Sequence, residues 1–186
     1  MNPVELLRWV GPLVMLLVVA GGIWALLKYK LGKDSSISSH ISEDRNLYVV
    51  MGLLLTFGGA LFYLFIAFWL VPTYNLHPIT FVLLIVAFIA QLGLAWVPEN
   101  RRFHTLHFIS AAVVAVSMII LLGILRLSLH ALPPISSVFV VAASISALIY
   151  LVYFIVSKGS LRNFLIYECF FIGLFATTIF ALALAI

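Results

Sequence analysis

Apolar residues run along this chain in six long stretches, each closed by a brief polar interruption, with no alternation of apolar and polar positions inside them. The stretches cover residues 9–27, 47–71, 79–97, 106–125, 135–156 and 164–186. A helix needs about 20 apolar residues to cross about 30 Å of hydrocarbon, so each is read as a transmembrane helix. The interruptions carry helix-ending residues: Pro72 and Pro78 bracket a short turn, Pro98 closes the third stretch, and Pro133 and Pro134 open the fifth. Short connections make sequential helices antiparallel. The segment 28–46 (KYKLGKDSSISSHISEDRN) is the only long polar one, and its serines and Gly32 predict a loop, the one place where a re-entrant or ordered segment has room to form. The fold class is therefore all-α, a polytopic bundle of about six transmembrane helices forming one domain over residues 1–186.

Composition sharpens this picture. The chain is 65% hydrophobic and 9% charged, against about half and about a quarter in soluble domains, and its mean hydropathy is +1.26. No polar skin is available for a water-soluble domain, so the lipid bilayer is the expected surrounding. The net charge of +4 does not point to nucleic acid, because the basic residues sit between apolar stretches and form no stripe with aromatics. The single cysteine, Cys169, lies within an apolar stretch and excludes an internal disulfide.

The basic residues also set an orientation. Lys28, Lys30, Lys33, Arg45, Arg101, Arg102, Lys158 and Arg162 fall on one side of a six-helix arrangement, whereas Arg8 and Arg126 fall on the other. Eight against two places the first set in the cytoplasm and both termini outside a cell membrane. The first stretch has its lysines after the apolar run, which is the pattern of an anchor and not of a cleaved signal. Trp9, Trp69 and Trp96 sit near helix ends, as interfacial anchors do.

With that topology, polar residues distant in sequence meet at the cytoplasmic end: Asn46, Glu99, Arg101, Arg102, His104, His107 and Glu168 are the candidate ligand-binding residues. Glu168 is the only acidic residue inside a predicted span, and a carboxylate there needs a partner or must reach the interface. His104, His107 and the arginine pair are its nearest predicted partners. His104 and His107 share a helix face and, with Glu168, offer two nitrogens and an oxygen, a weak metal-ligand pattern that assigns no metal. The serines show no nucleophile motif. Gly52, Gly58, Gly59, Ala142, Ala143, Ser144, Ser146 and Ala147 read as close helix-packing positions, and Gln91, midway along the third helix, needs an interhelical partner or lines a cavity.

The strings ISSHISEDRN, GLLLTFGG, VPENRRFHTLHF and YECFF resemble the pattern of a prokaryotic family designated domain of unknown function 998, similar in layout to the Frag, DRAM and Sfk membrane proteins. The resemblance spans the chain from Ile37 onward, singles out Asn46, Pro98, Glu99, His104, Thr105 and Glu168, and implies six helices without implying a reaction. The chain has SSHIS where that family's pattern carries Asp-Leu-Gly.

The leading functional expectation is binding of a lipid headgroup or small amphiphile at the cytoplasmic rim. The others are an accessory subunit of a larger membrane complex or a homo-oligomer, an intramembrane metal-assisted hydrolase using His104, His107 and Glu168, and a transporter built around Gln91. No cofactor is indicated.

Overall fold

A computed structural model describes residues 3–28, 36–42, 44–98, 104–128, 132–156 and 164–185. Among them the helices are α1 (Pro3–Lys28), the short α2 (Ile37–Ser42), α3 (Arg45–Thr73), α4 (Ile79–Trp96), α5 (His104–Leu127), α6 (Pro134–Val156) and α7 (Phe164–Leu184). Helices α1, α3, α4, α5 and α7 are long and apolar enough to cross a membrane, and α6 is apolar over Pro134–Ile149. The protein is an all-α membrane protein. A backbone that must satisfy its own polar groups in lipid leaves helices as the solution for such a sequence.

The long helices form a closed ring. Each packs on the next in chain order, α1 on α3, α3 on α4 and so on to α7, which returns to α1. One end of the ring is solid. Phe65, Leu70, Leu122, Leu125, Val140, Phe175, Ile179 and Leu182 are at most 1% exposed and belong to one continuous core. The last carbonyls of α7 have no partners within their own helix, and neighbours supply them. Ser136 Oγ donates to the Ala181 carbonyl at 3.0 Å, the Tyr74 hydroxyl to that of Leu182 at 2.8 Å, and Arg8 Nε to that of Ala183. Burial raises the Tyr74 phenol above its ordinary pKa, against a smaller pull from Arg8, so it stays a donor. Three elements are thereby tied to the end of α7, which closes the ring at this end.

Helix α3 departs from the expected regular helix. It contains two π-helical stretches, Leu54–Gly58 and Ile66–Leu70. The first has an identifiable cause. Gln91 Nε2 of α4 donates to the Leu55 carbonyl at 2.6 Å, and the Tyr63 hydroxyl donates to Gln91 Oε1 at 3.0 Å. The interhelical partner that Gln91 requires is thus the widened turn of α3. One turn away Trp96 Nε1 donates to Thr56 Oγ1, which donates to the Gly52 carbonyl, each at 2.8 Å. The α3–α4 seam is a polar zipper, and Gln91 does not line the large cavity described below.

The segment 28–46 requires a correction, because it is not simply a loop. Helix α1 runs to Lys28, α2 occupies Ile37–Ser42, and α3 starts at Arg45. Asp44 caps α3, accepting from the backbone N–H groups of Asn46 and Leu47 at 2.8 and 3.2 Å, and pairs with Lys28 at 2.7 Å. Ile41 packs on the buried cluster of Ala25, Leu47 and Met51, so α2 lies folded against α1 and α3.

Candidate functional site

The other end of the ring, where Lys28, Asp44 and Val97 lie, is hollow. A partly open cavity of about 510 Å³ occupies it, and all six ring helices and α2 contribute to its wall. Along α5 the lining runs from His107 to Ile119, about 18 Å of helix rise. That is close to the depth of one leaflet, half of about 30 Å. Small residues keep the space open: Gly22, Ala111, Ala112, Ala115 and Gly173 line it where larger side chains would fill it.

The wall is polar at one end only. Ser38, Ser42, Tyr48, His107 and Glu168 lie toward the basic end, whereas the deep part is made by residues such as Val18, Leu55, Val114, Met118 and Ile119. His107 is 6% exposed. Its Nδ1 lies 2.6 Å from the Val97 carbonyl oxygen, the last residue before the Pro98 turn. Among the described residues its Nε2 has no hydrogen-bond partner, and neither does the buried hydroxyl of Tyr48. Orphaned polar atoms at this depth cost roughly 1–3 kcal/mol each unless something meets them. Both belong to residues of the cavity wall.

Glu168 has a use inside the protein. Its Oε2 accepts the backbone N–H of Ile37 at 3.0 Å, so the carboxylate caps α2 across 131 residues of sequence. Among the described residues a backbone donor meets this acid, and Glu168 and His107 share the cavity wall. Replacement of Glu168 by Gln preserves an acceptor, whereas Leu removes it. Hydrogen exchange at the Ile37 amide is expected to be near wild type in Glu168→Gln. In Glu168→Leu it is expected to be roughly tenfold to a hundredfold faster, the equivalent of losing a charge-assisted bond. Unchanged exchange in Glu168→Leu would remove the capping role.

The remaining predicted site residues separate into two groups. Asn46 is exposed at the start of α3, donates its N–H to Asp44, and is not part of the cavity wall. Glu99, Arg101 and Arg102 lie outside the described residues, as does the side chain of His104, the first residue of α5. Among the described residues no three His, Cys, Asp or Glu side chains gather as a metal-binding group. Tyr48 is the wall residue that sequence reasoning passed over. The available signal was a phenol one turn into an apolar helix, where the hydroxyl must find a partner. No protein-family model, curated protein or solved structure matches the chain.

Proposed function

We propose that this protein binds a single-chain amphiphile, holding the apolar chain in the cavity and the polar head at the basic end of the ring. The supporting observation is an elongated apolar space of about 510 Å³ whose polar groups are confined to one end. Empty apolar space of this kind is costly to maintain, about 24 cal/mol per Å³ where it is enclosed, and a guest that fills the deep part removes that cost. Water is a poor filler of the deep part, because the apolar wall there offers too few of the two to four polar partners a buried water needs. A hydrocarbon chain about as long as one leaflet is deep matches both the polarity and the length. In this reading the basic end faces the cytoplasm, in keeping with the eight-to-two distribution of Lys and Arg along the sequence.

The test is reconstitution in nanodiscs of diacyl phosphatidylcholine, so that no single-chain detergent competes, followed by titration with monoacyl amphiphiles of increasing chain length. The melting temperature is expected to rise with chain length and to level off once the chain matches the cavity. Native mass spectrometry is expected to find one amphiphile per protein. No stabilisation at any length would sink the proposal.

A further inference from the structure

The far end of the cavity specifies how long a chain it holds. Three wall residues on three different helices, Val19 of α1, Met118 of α5 and Phe171 of α7, are also part of the continuous core or packed against it. Four residues nearer the solid end of the ring, each of these helices carries a buried core residue that is not in the wall, namely Met15, Leu122 and Phe175. Residues four apart share a helix face, one about 6 Å beyond the other. On three helices, therefore, wall gives way to core within one turn. The Phe171 and Phe175 ring centroids lie 6.5 Å apart, and that of Phe175 lies 6.3 Å from that of Phe62, within the range of aromatic contact. The layer of Val19, Met118 and Phe171 thus rests on packed side chains and forms the floor of the cavity. Ser42, two residues from the Asp44 that pairs with Lys28, lines the opposite end.

A hydrocarbon chain with its head at the basic end brings its terminal methyl toward this floor. A chain that is too short leaves empty apolar space above the layer, where the lining side chains lack contacts on one side. A chain that is too long must press packed side chains apart or lift its head out of place, and overpacking is unfavourable as well. Resting on the chain-binding reading above, we infer that Val19, Met118 and Phe171 act as a length gauge, so that the protein selects one chain length within a homologous series. A guest drawn from the bilayer has already left water, so transfer out of water contributes little to that choice. The fit against the floor decides it.

The experiment offers the full-length protein in diacyl phosphatidylcholine nanodiscs a series of lysophosphatidylcholines at equal mole fraction, with lauroyl, myristoyl, palmitoyl, stearoyl and arachidoyl chains, and reads the bound species by native mass spectrometry. One length is expected to dominate, retained roughly five- to tenfold over a chain that overruns the floor, the worth of modest overpacking. Met118→Ala cuts the floor back toward Leu122 and is expected to move the optimum to the next longer chain. Val19→Phe builds the floor up and is expected to move it to the next shorter one. General loss of packing does not produce shifts of opposite sign, and Val19→Phe carries the test if the alanine variant does not fold. A wild type that retains all lengths equally, or an optimum that neither variant moves, would overturn the gauge and leave chain binding standing. Failure of every chain to bind would take the proposed function down with it.

Discussion

Phenylalanine in place of Gly173 is expected to expel the guest while leaving the fold intact. Gly173 lies on α7 in the cavity wall, and a Cβ built there meets no atom within 4 Å. An aromatic ring grown from that position occupies the volume proposed for the hydrocarbon chain, and the helix loses nothing, since glycine is among the poorest helix formers by nearly 1 kcal/mol. Retention of a monoacyl amphiphile in native mass spectrometry is expected to fall by more than about tenfold, a modest figure beside the free energy of filling the space. The unliganded melting temperature is expected to stay within a few degrees of wild type. Gly22→Leu tests the neighbouring wall, on α1, because its Cβ meets only Ile37 Cγ2 at 3.8 Å, an ordinary contact. Gly123 supplies the control. It too has open space around a built Cβ, yet it is not a wall residue, so Gly123→Phe is expected to bind as the wild type does. Wild-type retention by Gly173→Phe would show that the cavity is not where the chain goes.

The contrast among these glycines explains how much the sequence disclosed. The apolar stretches are legible because lipid imposes the same demand on every residue of a span, so their lengths carry the message without reference to neighbours. The hollow is not legible, because a small residue either makes room for a neighbouring group or leaves a space. Gly59 does the first and Gly173 the second, and nothing local distinguishes them. Helix α2 is hidden for a related reason. Six residues do not sustain a helix by propensity, and the carboxylate that caps it belongs to Glu168, on another helix. The polar end was half visible. Counting basic residues groups His107 and Glu168 at one end, and both line the cavity, whereas Tyr48 required knowing that its hydroxyl is left without a partner among the described residues. In each case the missing information is a contact between segments far apart in the chain.

The α3–α4 seam carries the largest expected loss of stability, and the reason lies in the same contacts that bend α3. Gly59 follows the first π-helical stretch, and its N–H donates to the carbonyls of Leu55 and Thr56. The Leu55 carbonyl therefore accepts twice, from Gly59 and from the Gln91 amide, and Leu55 is itself part of the cavity wall. A methyl group at Gly59 would overlap Nε2 of Gln91. The amide has nowhere to retreat without giving up the Leu55 carbonyl or the Tyr63 hydroxyl. Overpacking of this kind costs about 1–3 kcal/mol and each interhelical hydrogen bond lost adds about 0.6–2 kcal/mol. Gly59→Ala is thus expected to destabilise the protein by about 2–5 kcal/mol in unfolding followed by circular dichroism, with amphiphile retention falling as the Leu55 wall shifts. Gln91→Ala alone loses the hydrogen bonds without the clash and is expected to cost about 1–3 kcal/mol. The double variant discriminates mechanism from mere damage. With the amide gone, the alanine at 59 meets no obstacle, so the pair is expected to be little worse than Gln91→Ala alone, a coupling nearly as large as the Gly59→Ala loss itself, about 2–5 kcal/mol. Additive losses would mean that Gly59 is required for its backbone and not for the room it gives Gln91, and the lock between the two helices would have to be sought elsewhere.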